Sequence, residues 1–206
     1  MKLAMQRRSI FLEPPRGMDL FWVADQFSTP EISEMFVFGD DVRNWHVRAG
    51  HRIGTLVIGI MRRVVDRRRI GFVCAAAPTP DRKYWELMAA IPDRKNRDGF
   101  AALHAMDTFC CYLFDHVKID VLAANIRMDN PHPMVLTERA GYRRVAVEEQ
   151  EGHMHAVYLC DQDAWAKRKA RLERGEAAHP TGLGGPFVIL PGPPYNPVLP
   201  PEPAEG

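Results

Sequence analysis

A glycine with basic neighbours stands where an apolar run gives way to a long helical pattern, within the stretch IPDRKNRDGFAALHAM of residues 91–106. Because glycine has no Cβ, the backbone at Gly99 can approach a ligand closely, and the unpaired amides of the first helical turn favour an anion. Arg94, Lys95 and Arg97 would add positive charge there, whereas Asp98 would oppose it. On this spacing alone an ordinary loop and helix cap is the simpler interpretation, and a phosphate site is the alternative.

Acid–base and metal chemistry have few candidates in this sequence. Glu86, in KYWELMAAI, is the candidate general base, although a solvated or ion-paired carboxylate is the favoured interpretation. His153 and His155 alternate along one strand pattern, so a metal site is conceivable there, but an exposed strand face is the favoured interpretation. The four cysteines form no C-x-x-C pair, so we expect neither a disulfide framework nor a zinc site. No metal is predicted.

Length and charge limit the classes of protein to which this chain can belong. Its 206 residues, 46% of them hydrophobic, suffice for one well-buried core. The 27 basic and 26 acidic residues nearly cancel, so a nucleic-acid partner is not expected. The N-terminus lacks the apolar stretch of a signal peptide, and no run of about 18 apolar residues could cross a membrane. The sequence therefore predicts a soluble, cytoplasmic protein without a membrane partner.

The periodicity of the apolar residues predicts which elements must position these groups. Strand patterns occur in SIFLEPP, in the antiparallel series TLVIGIMRRVV, IGFVCAAA and KYWELMAAI, and later in IDVLAAN, YRRVAVEEQ and HMHAVYLC. Helical spacing runs through residues 100–117 and connects KYWELMAAI to IDVLAAN, which predicts that these two strands are parallel. A shorter helix is expected after Asn130, its predicted N-cap, and a charged surface helix in DQDAWAKRKARLERGE. The predicted fold class is α/β (α+β).

A change of composition divides the chain into two parts. Residues 1–176 are predicted to form one domain, and residues 177–206 an extended tail, because glycine and proline dominate from Gly182 onward. The tail contains the apolar island FVIL, which is too short to fold alone. We expect residues 182–206 to dock on the domain, on a second copy in a homodimer, or on a protein partner.

Two segments, in this order, resemble the GNAT superfamily of acyl-CoA-dependent N-acyltransferases, nearest the branch of ribosomal-protein N-terminal acetyltransferases. In that family a [QR]-x-x-G-x-[GA] turn opens a long helix, and a later segment reads N-x-x-S-x-x-x-x-E-K-x-G-[FY]. The residues that match the two motifs are Asn96, Gly99 and Ala101, and then Asn130, Glu138, Arg139, Gly141 and Tyr142. The resemblance implies a mixed, mostly antiparallel and splayed sheet flanked by helices, followed here by a tail rich in proline and glycine.

The resemblance also implies where acetyl-CoA would bind as a co-substrate. Its pantetheine arm would lie between the strands KYWELMAAI and IDVLAAN, and the amides after Arg97 would hold the pyrophosphate. Asn130 would contact the arm. The implied cofactor-binding residues are Met88, Ala90, Ile91, Asn96, Arg97, Asp98, Gly99, Phe100, Ala101, Ala102 and Asn130.

Three positions depart from the family pattern. Asn96 replaces the usual glutamine or arginine, Pro133 replaces the serine of the second motif, and Thr137 stands where many branches have a tyrosine general acid. Acyl transfer needs a neutral amine and a proton for the departing sulfur, which a bound water can supply. The predicted function is transfer of an acetyl or other acyl group from acetyl-CoA to an amine of a protein or small molecule by direct attack. The alternative is a catalytically inactive GNAT-fold binding or assembly protein that docks through its tail.

Overall fold

The structure, a computed structural model, describes residues 10–33, 44–80, 83–97 and 100–174. The strands are β1 (Ile10–Glu13), β2 (Leu56–Arg63), β3 (Arg69–Ala76), β4 (Trp85–Ala90), β5 (Val121–Arg127), β6 (Arg143–Gln150) and β7 (His153–Asp161). The helices are α1 (Asp19–Phe27), α2 (Pro30–Ser33), α3 (Asn44–Ile53), α4 (Phe100–Tyr112), α5 (Pro131–Arg139) and α6 (Gln162–Glu173). A π-helical turn, Leu113–Val117, continues α4.

The seven strands form one sheet in the order β1-β2-β3-β4-β5-β7-β6. Every neighbouring pair is antiparallel except β4 and β5, which are parallel because helix α4 carries the chain back between them. The hairpin of β6 and β7 turns at Glu151 and Gly152, whose positive φ angles of 51° and 76° suit a two-residue turn. The mixed, mostly antiparallel sheet expected from the sequence is therefore confirmed.

The sheet separates two hydrophobic cores, one on each face. Helices α4, α5 and α6 cover the first face, where the rings of Phe114 and Trp165 stack with centroids 5.9 Å apart. Helices α1, α2 and α3 cover the second face, where Phe72 of β3 packs against Phe27 with ring centroids 5.0 Å apart. Because side chains alternate along a strand, each strand contributes to both cores, and both faces of the sheet are covered by helices.

Strands β4 and β5 pair only at their beginnings. Trp85 pairs with Leu122 and Glu86 with Ala123, and the ladder between these two fully described strands ends there. Each strand stays paired with its outer neighbour, since β4 pairs with β3 up to Ala90 and β5 with β7 up to Arg127. The sheet consequently splays into a gap between the carboxyl halves of β4 and β5.

Helix α6 differs from the charged surface helix expected for this segment. Trp165, Arg168 and Leu172 are buried at spacings of three and four residues, so one face of the helix packs on the domain. Asp161 caps the helix, its carboxylate accepting from the Ala164 amide over 2.8 Å. Arg168 forms a buried ion pair with Asp107 of α4, at 2.7 Å between Nη2 and Oδ2. A charged sequence pattern concealed this packing because a buried arginine needs a partner that is distant in sequence.

Some predictions fall outside the described residues. Asp98 and Gly99 are among these, as are residues 177–206 with the proposed docking segment. Within the described ranges, no helix is long and apolar enough to span a membrane.

Candidate active site

The gap between β4 and β5 holds a cavity of about 320 Å³. Its walls come from the two strands, from the first turns of α4, from α5, and from α2. The lining residues are Glu31, Ile32, Leu87, Ala89, Ala90, Ile91, Arg97, Ala102, Met106, Ala124, Asn125, Ile126, Arg127, Asn130, His132, Pro133, Leu136 and Thr137. Most are apolar, with a small number of polar groups between them, which is the usual composition of a small-molecule site.

The cavity is lined from both faces of the sheet. Leu87 and Ile126 belong to the core beneath α4 and α5, so they line the cavity on the first face. Ile32 of α2 belongs to the opposite core, and Asn125 alternates with Ile126 along β5, so these two line it on the second face. The cavity therefore spans the sheet at the point where the two strands separate.

Glu86 lies at the closed end of the gap, in the last residue pair of the β4–β5 ladder. The residue is only 9% exposed and does not line the cavity. The Oε1 atom accepts a hydrogen bond from Nδ2 of Asn125 over 3.0 Å, and Asn125 does line the cavity. The carboxylate also adds to the effect of burial in raising the pKa of the Cys74 thiol. Glu86 thus reaches the cavity through Asn125.

Basic residues cluster where β4 leads into α4, and the part of the cavity that Arg97 lines is its basic mouth. Arg97 donates from Nε to the carbonyl oxygen of Ile91 over 2.6 Å and from Nη2 to that of Pro92 over 2.9 Å. These bonds hold the guanidinium against the end of β4 while it lines the cavity. Arg94 and Lys95 lie exposed in the short 3-10 turn just before it. The local charge at this mouth favours an anionic ligand.

Helix α5 begins at the opposite side of the mouth. Asn130 occupies the N-cap position, as predicted, but its side chain makes no capping hydrogen bond and lines the cavity instead. Pro131 and Pro133 have no amide hydrogen, so among the first three residues of the helix only His132 offers a backbone donor. The exposed imidazole of His132 also lines the cavity. The start of α5 therefore presents side chains to the cavity more than backbone donors.

The end of the second motif has a structural explanation that needs no ligand. Gly141 has φ of +92°, and a Cβ placed there would lie 3.4 Å from Cβ of Arg168. The Tyr142 hydroxyl lies 3.3 Å from the sulfur of Cys110, and Glu138 accepts from the Tyr158 hydroxyl over 3.0 Å. These contacts join α5 to the strands and helices beside it. Their role is to position the helix that carries the cavity-lining residues.

The residues predicted from the sequence divide into three groups. Those that line the cavity are Ala90, Ile91, Arg97, Ala102 and Asn130. A second group is described but does not line the cavity: Glu86, Met88, Asn96 and Ala101. Phe100 begins α4, and the third group, Asp98 and Gly99, lies outside the described residues. Met88 and Ala101 are buried in the second and first cores, respectively, and Asn96 donates to Asp93 over 3.4 Å.

Sequence reasoning missed four polar residues that line the cavity: Glu31, Asn125, Arg127 and His132. Asn125 and Arg127 alternate within the otherwise apolar strand β5, and such polar positions in a buried strand are a detectable sign of a site. Glu31 gives no local sign, because α2 reaches the cavity only through packing across the second face.

The remaining metal candidates do not form a cluster. His155 is buried at 3% exposure, which contradicts the exposed strand face expected for it, and its Nδ1 lies 3.0 Å from the carbonyl oxygen of His153. No group of three or more potential ligands occurs in the described ranges, where all four cysteines are buried and unpaired.

Solved structures with a similar fold include two N-acetyltransferases and one further domain. The aminoglycoside acetyltransferase AAC(6')-Ib in complex with coenzyme A and kanamycin matches with a TM-score of 0.61 and 12% identity, covering 78% of this chain and 99% of that chain. Spermidine N-acetyltransferase from Vibrio cholerae in complex with CoA and spermine matches with a TM-score of 0.64 and 12% identity, over 76% and 98%. A domain from Methanocaldococcus jannaschii matches with a TM-score of 0.59 and 16% identity, over 74% and 98%.

No protein-family model and no curated protein sequence matches this chain. Similarity to the solved structures at 12% to 16% identity defines the fold. The chain has the GNAT fold, as the two sequence motifs implied.

Proposed function

We propose that this protein is an acyl-CoA-dependent N-acyltransferase that moves an acetyl or other acyl group from acetyl-CoA to an amine by direct attack on the thioester. The observation that carries the proposal is the cavity lined from both faces of a splayed sheet. An acyl donor on the α4 and α5 side and an amine on the α2 side would meet inside it. Holding both reactants in one cavity removes much of the entropic cost of their encounter.

The end of the β4–β5 ladder supports binding of the pantetheine arm. Beyond Glu86 the facing edges of β4 and β5 no longer pair with each other, so an extended ligand with amide groups can bind along β4 as an added strand would. Ala90 and Ile91 line this edge, and Asn130 faces it from α5. The small side chains of Ala89 and Ala124 leave room for the arm.

The basic mouth supports binding of the pyrophosphate. Arg97 is held there by two backbone carbonyl groups, and Arg94 and Lys95 lie beside it. The first turn of α4 follows directly, and its amides and helix dipole favour phosphate. We assign Gly99 to the same cradle because it directly precedes Phe100, the first residue of α4.

The acceptor is proposed to be an amine that approaches from the α2 side. The Asn125 amide and the Glu31 carboxylate line that side and can accept hydrogen bonds from an amine. Kanamycin and spermine are bound in two of the similar structures, so both are suitable first probes. The motif resemblance to ribosomal-protein acetyltransferases makes a peptide with a free N-terminus the third probe.

Isothermal titration calorimetry with acetyl-CoA tests the proposal. Ala102→Phe should abolish binding, because Ala102 lines the cavity in the first turns of α4 and a ring there fills it. The matched control is Ala166→Phe, which makes the same change at an exposed position on α6. Thermal unfolding of both variants verifies that they fold. Absence of binding by the wild-type protein, or equal binding by Ala102→Phe, would refute the proposed site.

The second candidate function is a GNAT-fold binding or assembly protein without turnover. Pro133 favours it, because a proline lines the cavity where the family pattern has a serine. Thiol release with the three amine probes separates the two functions, since a binding protein would bind acetyl-CoA without releasing CoA.

The division of the chain into a domain of residues 1–176 and a tail of residues 177–206 is part of this second candidate function, in which the tail is the docking segment. If residues 182–206 dock on a partner or second copy, their deletion should change the mass measured by light scattering, while the melting temperature stays unchanged.

A further inference from the structure

The part of the cavity on the second face of the sheet carries two opposite charges. Glu31 lines it from α2, and Arg127 lines it from β5. Arg127 follows Asn125 by two residues, so the alternation of side chains along β5 places both on the second face, whereas Ile126 between them belongs to the first core. An acceptor that enters from the α2 side therefore meets a carboxylate, an amide and a guanidinium.

The guanidinium of Arg127 is held in place at the wall of the cavity. Its side chain is only 14% exposed. It donates from Nε to Oδ1 of Asp129 over 3.1 Å and from Nη2 to Oδ2 over 2.5 Å, a pair that uses two of the five N–H groups of the guanidinium. The Asp129 side chain is 59% exposed and does not line the cavity. Arg127 thus brings a positive charge to the cavity, while its counter-ion lies towards solvent.

The position of Arg127 separates it from the proposed phosphate site. The basic mouth lies where β4 leads into α4, and α4 covers the first face of the sheet. Arg127 belongs to the other splayed strand, β5, and to the second face. Its charge is therefore directed to the ligand that occupies the acceptor side, and Arg97 remains the cation at the mouth.

The spacing of Asn125 and Arg127 suits a small ligand that has both an amine and a carboxylate. Two residues apart on a strand, their Cα atoms are separated by roughly 7 Å. Oδ1 of Asn125, which the bond to Glu86 directs away from that carboxylate, accepts from an amine, and a guanidinium binds a carboxylate. In an α-amino acid both groups are attached to one carbon, so with a hydrogen bond of about 3 Å at each end the molecule meets both side chains at once.

A polycation complements this side of the cavity less well than a zwitterion does. The charges of Glu31 and Arg127 cancel, and a ligand with several ammonium groups places one of them near the guanidinium. Like charges repel more strongly in a poorly solvated site than in water. Kanamycin and spermine, which are bound in two of the similar structures, carry amines but no carboxylate. The charges here therefore favour a different acceptor.

We infer that the acceptor is a free α-amino acid, whose carboxylate pairs with Arg127 while its amine lies at Asn125. This inference rests on the proposed function and names its acceptor. Glu31 adds negative charge on the α2 wall, which complements the ammonium group of an arriving zwitterion. The amine nitrogen, once neutral, forms the new C–N bond, the C–S bond breaks with its electron pair moving to sulfur, and one amine proton passes through water to the thiolate. The carboxylate of the acceptor stays ionised throughout.

Thiol release from acetyl-CoA with matched pairs of acceptors tests this inference. A panel of L-amino acids is compared with the corresponding amino-acid amides, which keep the side chain and the α-amine but lack the carboxylate. Because the amine of the amide is the weaker base, a larger fraction of it is neutral at a given pH, so protonation does not favour the acid. We expect kcat/KM for the best amino acid to exceed that for its amide by roughly tenfold or more, since the amide loses a charge-assisted pair with Arg127.

Substitutions at the ion pair isolate the contact with the carboxylate. Arg127→Gln should remove the preference for the acid, and Arg127→Lys, which keeps the charge, should retain part of it. Asp129→Asn should leave the preference in place, whereas a purely structural role of the pair predicts the same loss from either partner. The matched control is Arg144→Gln, which removes one positive charge from an exposed position on β6 outside the cavity and should behave as wild type. Because the acid-to-amide ratio is measured within each variant, partial loss of folded protein cancels.

The outcomes separate this inference from the proposed function. Equal or better use of the amides, spermine or kanamycin by the wild-type protein would overturn the inference and leave the proposed function intact, as would a preference for the acid that survives Arg127→Gln. If acetyl-CoA binds but no acceptor releases thiol, calorimetry of the CoA-saturated protein with the same pairs decides. Binding of the acid that requires Arg127 would support the inference, and its absence would overturn it. Failure of the wild-type protein to bind acetyl-CoA would overturn the proposed function and this inference together.

Discussion

Asn125 of β5 donates from Nδ2 to Oε1 of Glu86 on β4 over 3.0 Å, at the point where the two strands begin to separate. Because a carboxylate only accepts hydrogen bonds, this contact orients the amide and directs its Oδ1 atom away from Glu86. Asn125 lines the cavity, so the oriented oxygen is available to an amine. Glu86, predicted from the sequence as a general base, is placed to act as a positioning residue for Asn125.

The Glu86–Asn125 pair should contribute measurably to stability. Asn125→Leu removes a hydrogen-bond donor to the carboxylate of Glu86, a residue that is 9% exposed, and we expect the free energy of unfolding to fall by about 1 to 3 kcal/mol. Adding Glu86→Leu should recover part of this loss, giving a coupling energy of about 1 kcal/mol or more in a urea-denaturation double-mutant cycle. Additive effects of the two substitutions would contradict the contact.

The space around Gly71 of β3 is too small for a side chain, so its substitution should destabilise the protein. A Cβ at this position would lie 2.5 Å from the carbonyl oxygen of Ala90, at the end of β4, and 3.0 Å from side-chain atoms of Ile91 and Met61. We expect Gly71→Ala to destabilise the protein by about 1 to 3 kcal/mol, because the backbone of β4 must move. It should also weaken acetyl-CoA binding, since Ala90 and Ile91 line the cavity.

Gly50→Ala is the comparison variant for this prediction. Gly50 lies in helix α3, and a Cβ there would meet the side chains of Leu56 and Thr55 at 3.2 and 3.4 Å. The contact is less severe, and alanine in a helix gains about 0.5 to 1 kcal/mol over glycine. Urea denaturation should therefore show a much smaller loss than for Gly71→Ala. Equal losses in the free energy of unfolding for the two variants would show that the contact with the Ala90 carbonyl oxygen does not cause the destabilisation by Gly71→Ala.

The buried ion pair of Asp107 and Arg168 should behave as a unit. Both side chains are 5% exposed, and burial raises the pKa of Asp107 while the Arg168 guanidinium opposes that change. Arg168→Leu leaves Asp107 buried without its cation, so we expect a loss of about 3 to 5 kcal/mol. The double variant Asp107→Leu/Arg168→Leu should be more stable than Arg168→Leu alone in thermal unfolding. A double variant that is less stable than the single one would contradict this coupling.

Stability should decline as the pH falls below the ordinary histidine pKa of about 6.5. Burial lowers the pKa of His51, with its bond to the Leu56 carbonyl opposing the effect, and burial also lowers the pKa of His104. These histidines therefore bind protons more readily in the unfolded chain than in the folded protein. The free energy of unfolding should fall as the pH is lowered from about 6.5 until it passes the lower pKa values of the folded state. His104→Gln should reduce the pH dependence of the melting temperature between pH 7 and 5. An unchanged slope would show that His104 does not carry this dependence.

The sequence alone allowed most of the fold to be predicted. The apolar runs of β2, β3 and β4 and the helical spacing of residues 100–112 appear in the structure as strands and a helix, as expected. Two motifs sufficed to suggest the GNAT fold. The site was predicted less completely, because residues such as Arg97 and Asn130 belong to the motifs, whereas Glu31 and Asn125 reach the cavity through contacts between distant segments.

What the sequence by itself determined was therefore local: strand and helix periods, helix starts, turns, and the succession of a strand, a helix and a parallel strand. Only the tertiary structure decided that β4 and β5 separate after Glu86, that Asn125 lies beside a residue 39 positions away, and that α6 is tied to α4 by Arg168. Periodicity and capping depend on neighbours within a few residues. Divergence of strands and pairing of buried polar groups depend instead on how whole elements pack, which no single segment encodes.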